Sequence, residues 1–192
     1  MTEQSKKNGP PGKGVKSPQD APTDNGARQA ERLAVVVREM LPGDVDAVAA
    51  VEAQGFSDPW PARAFSSLLS RNFTRMRVAE LNDEIVGYCV LLMTSDQWEV
   101  GNICVSTGVR GRGVGAQLLD EAIAAADSQG AEAVFLEVRE SNFPAQRLYE
   151  ARGFFEVGRR RDYYEHPVED ALVMQRAAPG ETRRDGRALS RA

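Results

Sequence analysis

The sequence predicts an α+β domain, a mixed and mostly antiparallel sheet of six or seven strands flanked by about four helices. Three observations predict it. Short apolar runs rich in β-branched residues recur along residues 33–177, and two of them, Met76 to Leu81 and Ile85 to Thr94, are separated only by Asn82-Asp83-Glu84, a hairpin signal. From Gly113 to Gly130 the apolar residues Val114, Leu118, Leu119, Ala122, Ile123, Ala125 and Ala126 keep a 3.6-residue period, which is the stripe of an amphipathic helix. Finally, 192 residues of which 42% are hydrophobic suit one core with little beyond it.

The elements run in order along the chain. Leu33 to Val37 reads as a first strand. Pro42-Gly43-Asp44 starts a helix carrying Val45, Val48, Ala49 and Val51, and a second helix comes after Pro61. Met76 to Leu81, Ile85 to Thr94 and Glu99 to Val105 form three antiparallel strands. The helix after Gly113 ends at Gly130, a C-cap residue. Ala133 to Val138 is a buried strand, Phe143 to Arg152 a short helix closed by Gly153, and Phe154 to Val157 and Ala171 to Gln175 are the last strands.

Residues 1–32, rich in Gly, Pro, Ser and Lys, have no apolar periodicity and are expected to be a disordered tail; residues 178–192 are expected to be a second flexible one. The chain has 24 basic and 28 acidic side chains, and the two tails hold ten of the former and six of the latter. The domain at 33–177 is therefore acidic, with 14 basic groups, all arginine, against 22 acidic ones. Such a surface disfavours nucleic acid and favours amines or basic peptides. No apolar run approaches the roughly 18 residues a membrane span requires, and the start lacks a signal-peptide stretch, so a cytoplasmic protein is expected. Cys89 and Cys104 lie in apolar runs and read as buried thiols; with one histidine, His166, no metal site is expected. The oligomeric state stays open, a monomer being compatible with the sequence.

Chemistry concentrates at Arg110-Gly111-Arg112-Gly113-Val114-Gly115, between a strand and an amphipathic helix. Glycines let the backbone approach a ligand and the free N–H groups of a helix N-terminus point at it, which makes an anion cradle suited to diphosphate. Arg110 and Arg112 supply charge to the same oxygens. Alone the pattern is weak, since an ordinary glycine-rich turn looks the same. It is not a dinucleotide fingerprint and lacks the Lys-Ser/Thr of a P-loop.

With Arg110, Gly113 and Gly115 in place, the chain resembles the GNAT family of acetyl-CoA-dependent N-acetyltransferases, whose pyrophosphate loop has the pattern Arg/Gln-x-x-Gly-x-Gly/Ala. Leu136-Glu137-Val138-Arg139-Glu140-Ser141-Asn142, Leu148-Tyr149-Glu150, Gly153-Phe154, Phe56-Ser57-Asp58-Pro59-Trp60, Asn102-Ile103-Cys104-Val105, Arg161-Asp162-Tyr163-Tyr164 and Glu169-Asp170-Ala171 resemble its RimI-type branch, enzymes that acetylate the N-terminal alanine of a ribosomal protein. The resemblance covers about residues 35–176. Thr107 departs from it where the family has a proline, and Pro144 falls in a helix's first turn, where proline is tolerated.

The resemblance implies a sheet with a central splay, acetyl-CoA as acetyl donor, and a protein N-terminus, that of a ribosomal protein, as partner. It places the cofactor on Ile103, Cys104 and Val105 of one strand, on Arg110, Gly111, Arg112, Gly113, Val114, Gly115 and Ala116, and on Asn142, which also reads as a helix N-cap. Ile103 and Val105 would bind by backbone, with the Val105 N–H polarising the thioester carbonyl. Glu137, which alternation puts on one strand face with Phe135, is marked as general base, an ion pair with an arginine being the alternative. Glu99 is the competing base. Tyr149 takes the general-acid role, with core packing as the alternative. Phe56 and Trp60, with Pro59, are an acceptor-side wall or plain packing; Tyr163 and Tyr164, between the last strands, are peptide-binding or a hairpin edge. His166 reads as a surface loop residue. Two other functions stay open: a transferase for a lysine side chain or small amine, and a CoA-binding interaction module without turnover.

Overall fold

In the computed structural model, which describes residues 34–94 and 97–177, the chain runs β1 (Val36–Glu39), α1 (Val45–Gly55), α2 (Ala62–Leu69), β2 (Thr74–Leu81), β3 (Glu84–Thr94), β4 (Gln97–Val105), α3 (Val114–Ser128), β5 (Ala133–Arg139), α4 (Phe143–Glu150), β6 (Phe155–Glu165) and β7 (Val168–Ala177). Short 3₁₀ turns at Pro42–Asp44 and Thr107–Val109 precede α1 and the glycine loop. The two predicted tails lie outside the described residues. The strands form one sheet in the order β1-β2-β3-β4-β5-β7-β6, antiparallel except for the β4–β5 pair. The α+β class and the strand and helix numbers are those the sequence predicts.

Both faces of the sheet are covered, which explains why β3 is apolar almost throughout rather than alternating. Ala79, Cys89, Leu91, Val134, Leu136 and Val138 pack with Leu118, Leu119, Ala122 and Ala126 of α3. On the opposite face Val78, Tyr88 and Val90 pack with Val48 and Val51 of α1 and Phe65 of α2. Cys89 and Cys104 are buried free thiols, and burial pushes Cys89 up to about 12.

One irregularity sets the shape of the sheet centre. Val90 pairs with Asn102 and Leu91 with Val100, so Gly101 is an extra residue on β4, a bulge. Trp98 and Val100 face α3; past the bulge it is Ile103 and Val105 that do so, while Cys104 turns to the α1 face. β4 and β5 pair only at Trp98–Val134, Glu99–Phe135 and Val100–Leu136; from Gly101 onward β4 has no register partner on β5. The implied splay is therefore present, and it begins at the bulge.

The last strands differ from expectation. β6 runs from Phe155 to Glu165, far beyond Val157, so Tyr163 and Tyr164 belong to a strand and do not lie between the strands. The reason is an irregular register between Arg160 and Tyr164, where Asp162 takes a positive φ and pairing with β7 resumes beyond it. An interruption of this kind carries no alternating apolar pattern.

The end of α1 lies tightly against β4. A Cβ built at Gly55 would sit 2.3 Å from the Cys104 Sγ. Gly55→Ala is expected to destabilise the protein by about 1–3 kcal/mol, as overpacking does. In denaturant titrations Gly55→Ala/Cys104→Ala should be more stable than the sum of the two single changes, because removing the sulfur relieves the clash.

Candidate active site

The splay exposes backbone on one side of β4. The Ser106 N–H donates to the Val86 carbonyl at 2.8 Å, making these two a hydrogen-bonded pair. Antiparallel ladders alternate, so Val105 (opposite Gly87) and Ile103 (opposite Cys89) occupy non-hydrogen-bonded positions, and their N–H and C=O groups point away from β3 into the opening. Apart from the Val105 carbonyl, these groups form an edge to which an amide-bearing ligand can add.

Three side chains or backbone groups of α1 hold this strand. The Cys104 Sγ reaches the Val51 carbonyl at 3.6 Å, and the Asn102 Nδ2 donates to Glu52. The Gln54 Oε1 accepts from the Ser106 hydroxyl at 3.0 Å and from the Thr107 N–H at 3.3 Å. Where a proline is absent at position 107, the glutamine side chain fastens the segment leading to the glycine loop.

In that loop Gly111 and Gly113 have φ of +75° and +86°, a region that glycine alone enters without strain. Gly113 is the N-cap of α3, and the first intrahelical bond is Gln117 N–H to the Gly113 carbonyl. The N–H groups of Val114, Gly115 and Ala116 therefore have no partner inside the helix, and no capping side chain supplies one. They fit a diphosphate. Arg112 is exposed beside them. Arg110 is exposed as well, and its Nε donates to the Val105 carbonyl at 2.9 Å.

Glu137 and Glu99 share the face opposite α3, since Leu136 and Val100 on their strands face α3. Burial pushes the Glu99 carboxyl above the usual carboxylate range and the charge of Glu137 adds to it. The Glu137 side chain is 19% exposed and accepts from the Arg160 Nη1 at 2.6 Å. Glu137 and burial push the Tyr163 phenol up, and the Arg160 guanidinium lies 4.2 Å from the centre of the Tyr163 ring. The ion pair expected as the alternative for Glu137 is thus formed, by Arg160 on β6.

Tyr149 is buried on α4, its ring tilted against Phe154 with centroids 6.0 Å apart. Burial pushes its phenol up. No hydrogen bond to its hydroxyl exists among the described residues, and this hydroxyl is not fully sealed from the surface. Asn142 is the N-cap of α4, its Oδ1 accepting from the Ala145 N–H at 3.3 Å.

The acceptor-side residues form two walls joined by an arginine. Phe56 and Trp60 are half-buried in the α1–α2 loop, and Trp60, Phe65 and Tyr88 make a ladder of tilted and edge-on rings with centroids 5.8 and 5.3 Å apart. The Arg139 guanidinium sits 4.0 Å from the Tyr164 ring centre and bonds Glu169, the His166 carbonyl and the Ser57 hydroxyl. The Ser57 hydroxyl itself donates to the His166 carbonyl at 2.7 Å, which closes the α1–α2 loop onto the β6–β7 turn. His166 is exposed in that turn, as expected, 3.3 Å from Asp58.

Sequence patterns do not single out Glu52, Gln54, Tyr88 or Arg160. Only Glu52 leaves a signal: positions 45, 48 and 52 lie on one face of α1, so a carboxylate interrupts an otherwise apolar stripe. A shallow cavity of about 560 Å³ beside Arg38, Asp44, Asp83 and Glu84 contains none of the predicted residues.

Comparison with known proteins agrees with this geometry. The model of the Acetyltransferase (GNAT) family matches residues 45–154. A Mycobacterium tuberculosis protein named N-alpha-acetyltransferase RimI is 34% identical over 153 residues, 77% of this chain and 95% of that protein. An uncharacterized Mycobacterium leprae protein is 37% identical over 78% of this chain, which spans 42% of that relative's length. The crystal structure of the Escherichia coli ribosomal-protein-S18-alanine N-acetyltransferase superposes with a TM-score of 0.71 at 26% identity, covering 78% of this chain and 97% of the other.

The state of Glu99 has a measurable consequence. A carboxyl held above its ordinary range loses stability for the fold as pH rises through and beyond its unfolded value, because the ionised form is disfavoured in the folded state. Glu99→Gln is expected to be more stable than wild type at pH 7. In urea titrations the difference should vanish below about pH 4, where the unfolded carboxyl is also protonated.

Proposed function

Because the chain belongs to the GNAT family of acetyltransferases, we propose that it moves an acetyl group from acetyl-CoA to the α-amine of a protein N-terminus, with the alanine-starting ribosomal protein S18 as its cytoplasmic acceptor. The observation that carries the reading is the opening at Ile103 and Val105, flanked on one face by the unpaired N-terminus of α3 and on the other by two carboxylates. The similarity to relatives named for α-amine and S18-alanine acetylation supports this choice of acceptor.

When bound, acetyl-CoA supplies an activated thioester; the remaining work is done by the protein. The N–H groups of Val114, Gly115 and Ala116, with Arg112, hold the diphosphate, and the Ile103 and Val105 backbone holds the amide-bearing arm, beside Cys104 and Asn142. The Val105 N–H is a fixed dipole available to oxygen charge as it develops, without reorganisation.

An α-ammonium with pKa near 8 must lose a proton before it can attack. Glu137 is the base, drawing the ammonium to the opening, with Glu99 beside it on the same face. Arg160 holds Glu137 in position through their ion pair until a cationic acceptor competes for it. The Tyr149 hydroxyl, which has no hydrogen-bond partner among the described residues, donates a proton to the departing sulfur in a concerted step, since a phenol of raised pKa does not ionise ahead of it. Phe56, Trp60, Tyr163 and Tyr164 form the walls against which the first acceptor residues lie.

Glu137→Gln is expected to lower kcat by about 10²-fold or more on an alanine-starting peptide, and Tyr149→Phe by about 10-fold or more, while calorimetry finds acetyl-CoA affinity unchanged. Unchanged turnover in Glu137→Gln removes that residue as base. A peptide panel with free and blocked N-termini identifies the acceptor group: mass spectrometry should find acetylation on the α-amine and none on internal lysine.

A further inference from the structure

Glu52 is a charged side chain with no exposure at all, and none of the acetyl-transfer chemistry uses it. Burial pushes its carboxyl up against the pull of three donors. These are the Trp60 N–H at 3.0 Å, the Asn102 Nδ2 at 3.1 and 3.3 Å to the two oxygens, and the Tyr88 hydroxyl. A leucine would continue the Val45–Val48 stripe without the desolvation that a carboxylate suffers, so core packing alone does not call for this residue.

The donors identify what the carboxylate joins. Trp60 stands on the α1–α2 loop, Tyr88 on β3, and Asn102 on β4 directly after the Gly101 bulge where β4 leaves β5. The Trp60 indole reaches the same place, its edge 3.9 Å from a Cβ built at Gly101. One carboxylate therefore fixes the aromatic wall relative to the strand that borders the opening. We infer that Glu52 is a positioning residue for the acceptor, tying Trp60 to Asn102 and so setting the width of the acceptor side of the opening. This rests on the reading of that opening as the site of acetyl transfer to an amine.

The test uses the full chain and the variants Glu52→Gln and Glu52→Leu. In Glu52→Gln the amide oxygen can still accept from Trp60 and Asn102 while its NH₂ donates to the Tyr88 hydroxyl, which is able to accept. That variant should keep the acceptor KM for an alanine-starting peptide within about threefold. Glu52→Leu strands the donors and should raise the acceptor KM about tenfold or more, with the acetyl-CoA Kd within about threefold. If Glu52→Leu does not fold, Asn102→Leu cuts the same tie from β4 and should move the acceptor KM in the same direction.

A second readout does not depend on turnover. In a Trp98→Phe background Trp60 is the only tryptophan, and its emission should shift to the red and quench more readily with acrylamide when Glu52 is leucine. An unchanged acceptor KM in a folded Glu52→Leu, or an acetyl-CoA affinity that falls in step with it, overturns the inference. Failure of the wild type on every α-amine defeats the proposed function instead; Trp60 quenching then decides alone, and no change in it overturns the tie.

Discussion

Three residue pairs join β4 to β5, and the consequences of there being only three reach most of the molecule. A sheet interior ordinarily satisfies its own backbone, and leaving N–H and C=O groups without partners is costly unless water or a ligand takes them. The Gly101 bulge forces the exception. It adds a residue to β4, shifts the alternation so that Cys104 turns to α1 and Ile103 and Val105 to α3, and ends the pairing with β5. What remains is a preformed strand edge inside a covered sheet, held open by contacts from α1 at Val51, Glu52 and Gln54.

The two faces of the sheet then divide the chemistry. On the α3 side a positive-φ glycine and an uncapped helix N-terminus offer a site for negative charge. On the α1 side Glu99 and Glu137 offer a site for positive charge, the first raised by burial and the second paired with Arg160. In the function proposed, an anionic carrier and a cationic acceptor approach through one opening from opposite faces. The acidic balance of residues 33–177 favours the second of these approaches over long range.

Much of this is legible in the sequence because period and turn chemistry are local. The Gly113–Gly130 stripe, the Asn82-Asp83-Glu84 hairpin and the Glu137–Phe135 alternation each appear in the structure where the residues put them. The splay comes from resemblance alone, since no local pattern says that two strands part after Val100. Long-range partners are not legible either. Arg160 reaches Glu137 across 23 residues, Glu52 meets Asn102 across 50, and the Arg110 Nε bonds the Val105 carbonyl. β6 extends well past the end its pattern predicts, because its pairing with β7 is interrupted between Arg160 and Tyr164.

The central claim is that the open backbone of β4 and the N-terminus of α3 together receive the acyl carrier. Titrating ¹⁵N-labelled protein with acetyl-CoA and following amide resonances tests it most directly. The account predicts the largest shifts at Ile103, Val105 and Gly113 to Ala116, with smaller ones on β1 and β2. Shifts confined to the cavity beside Arg38 and Asp83, with the β4 and α3 amides unmoved, would contradict it.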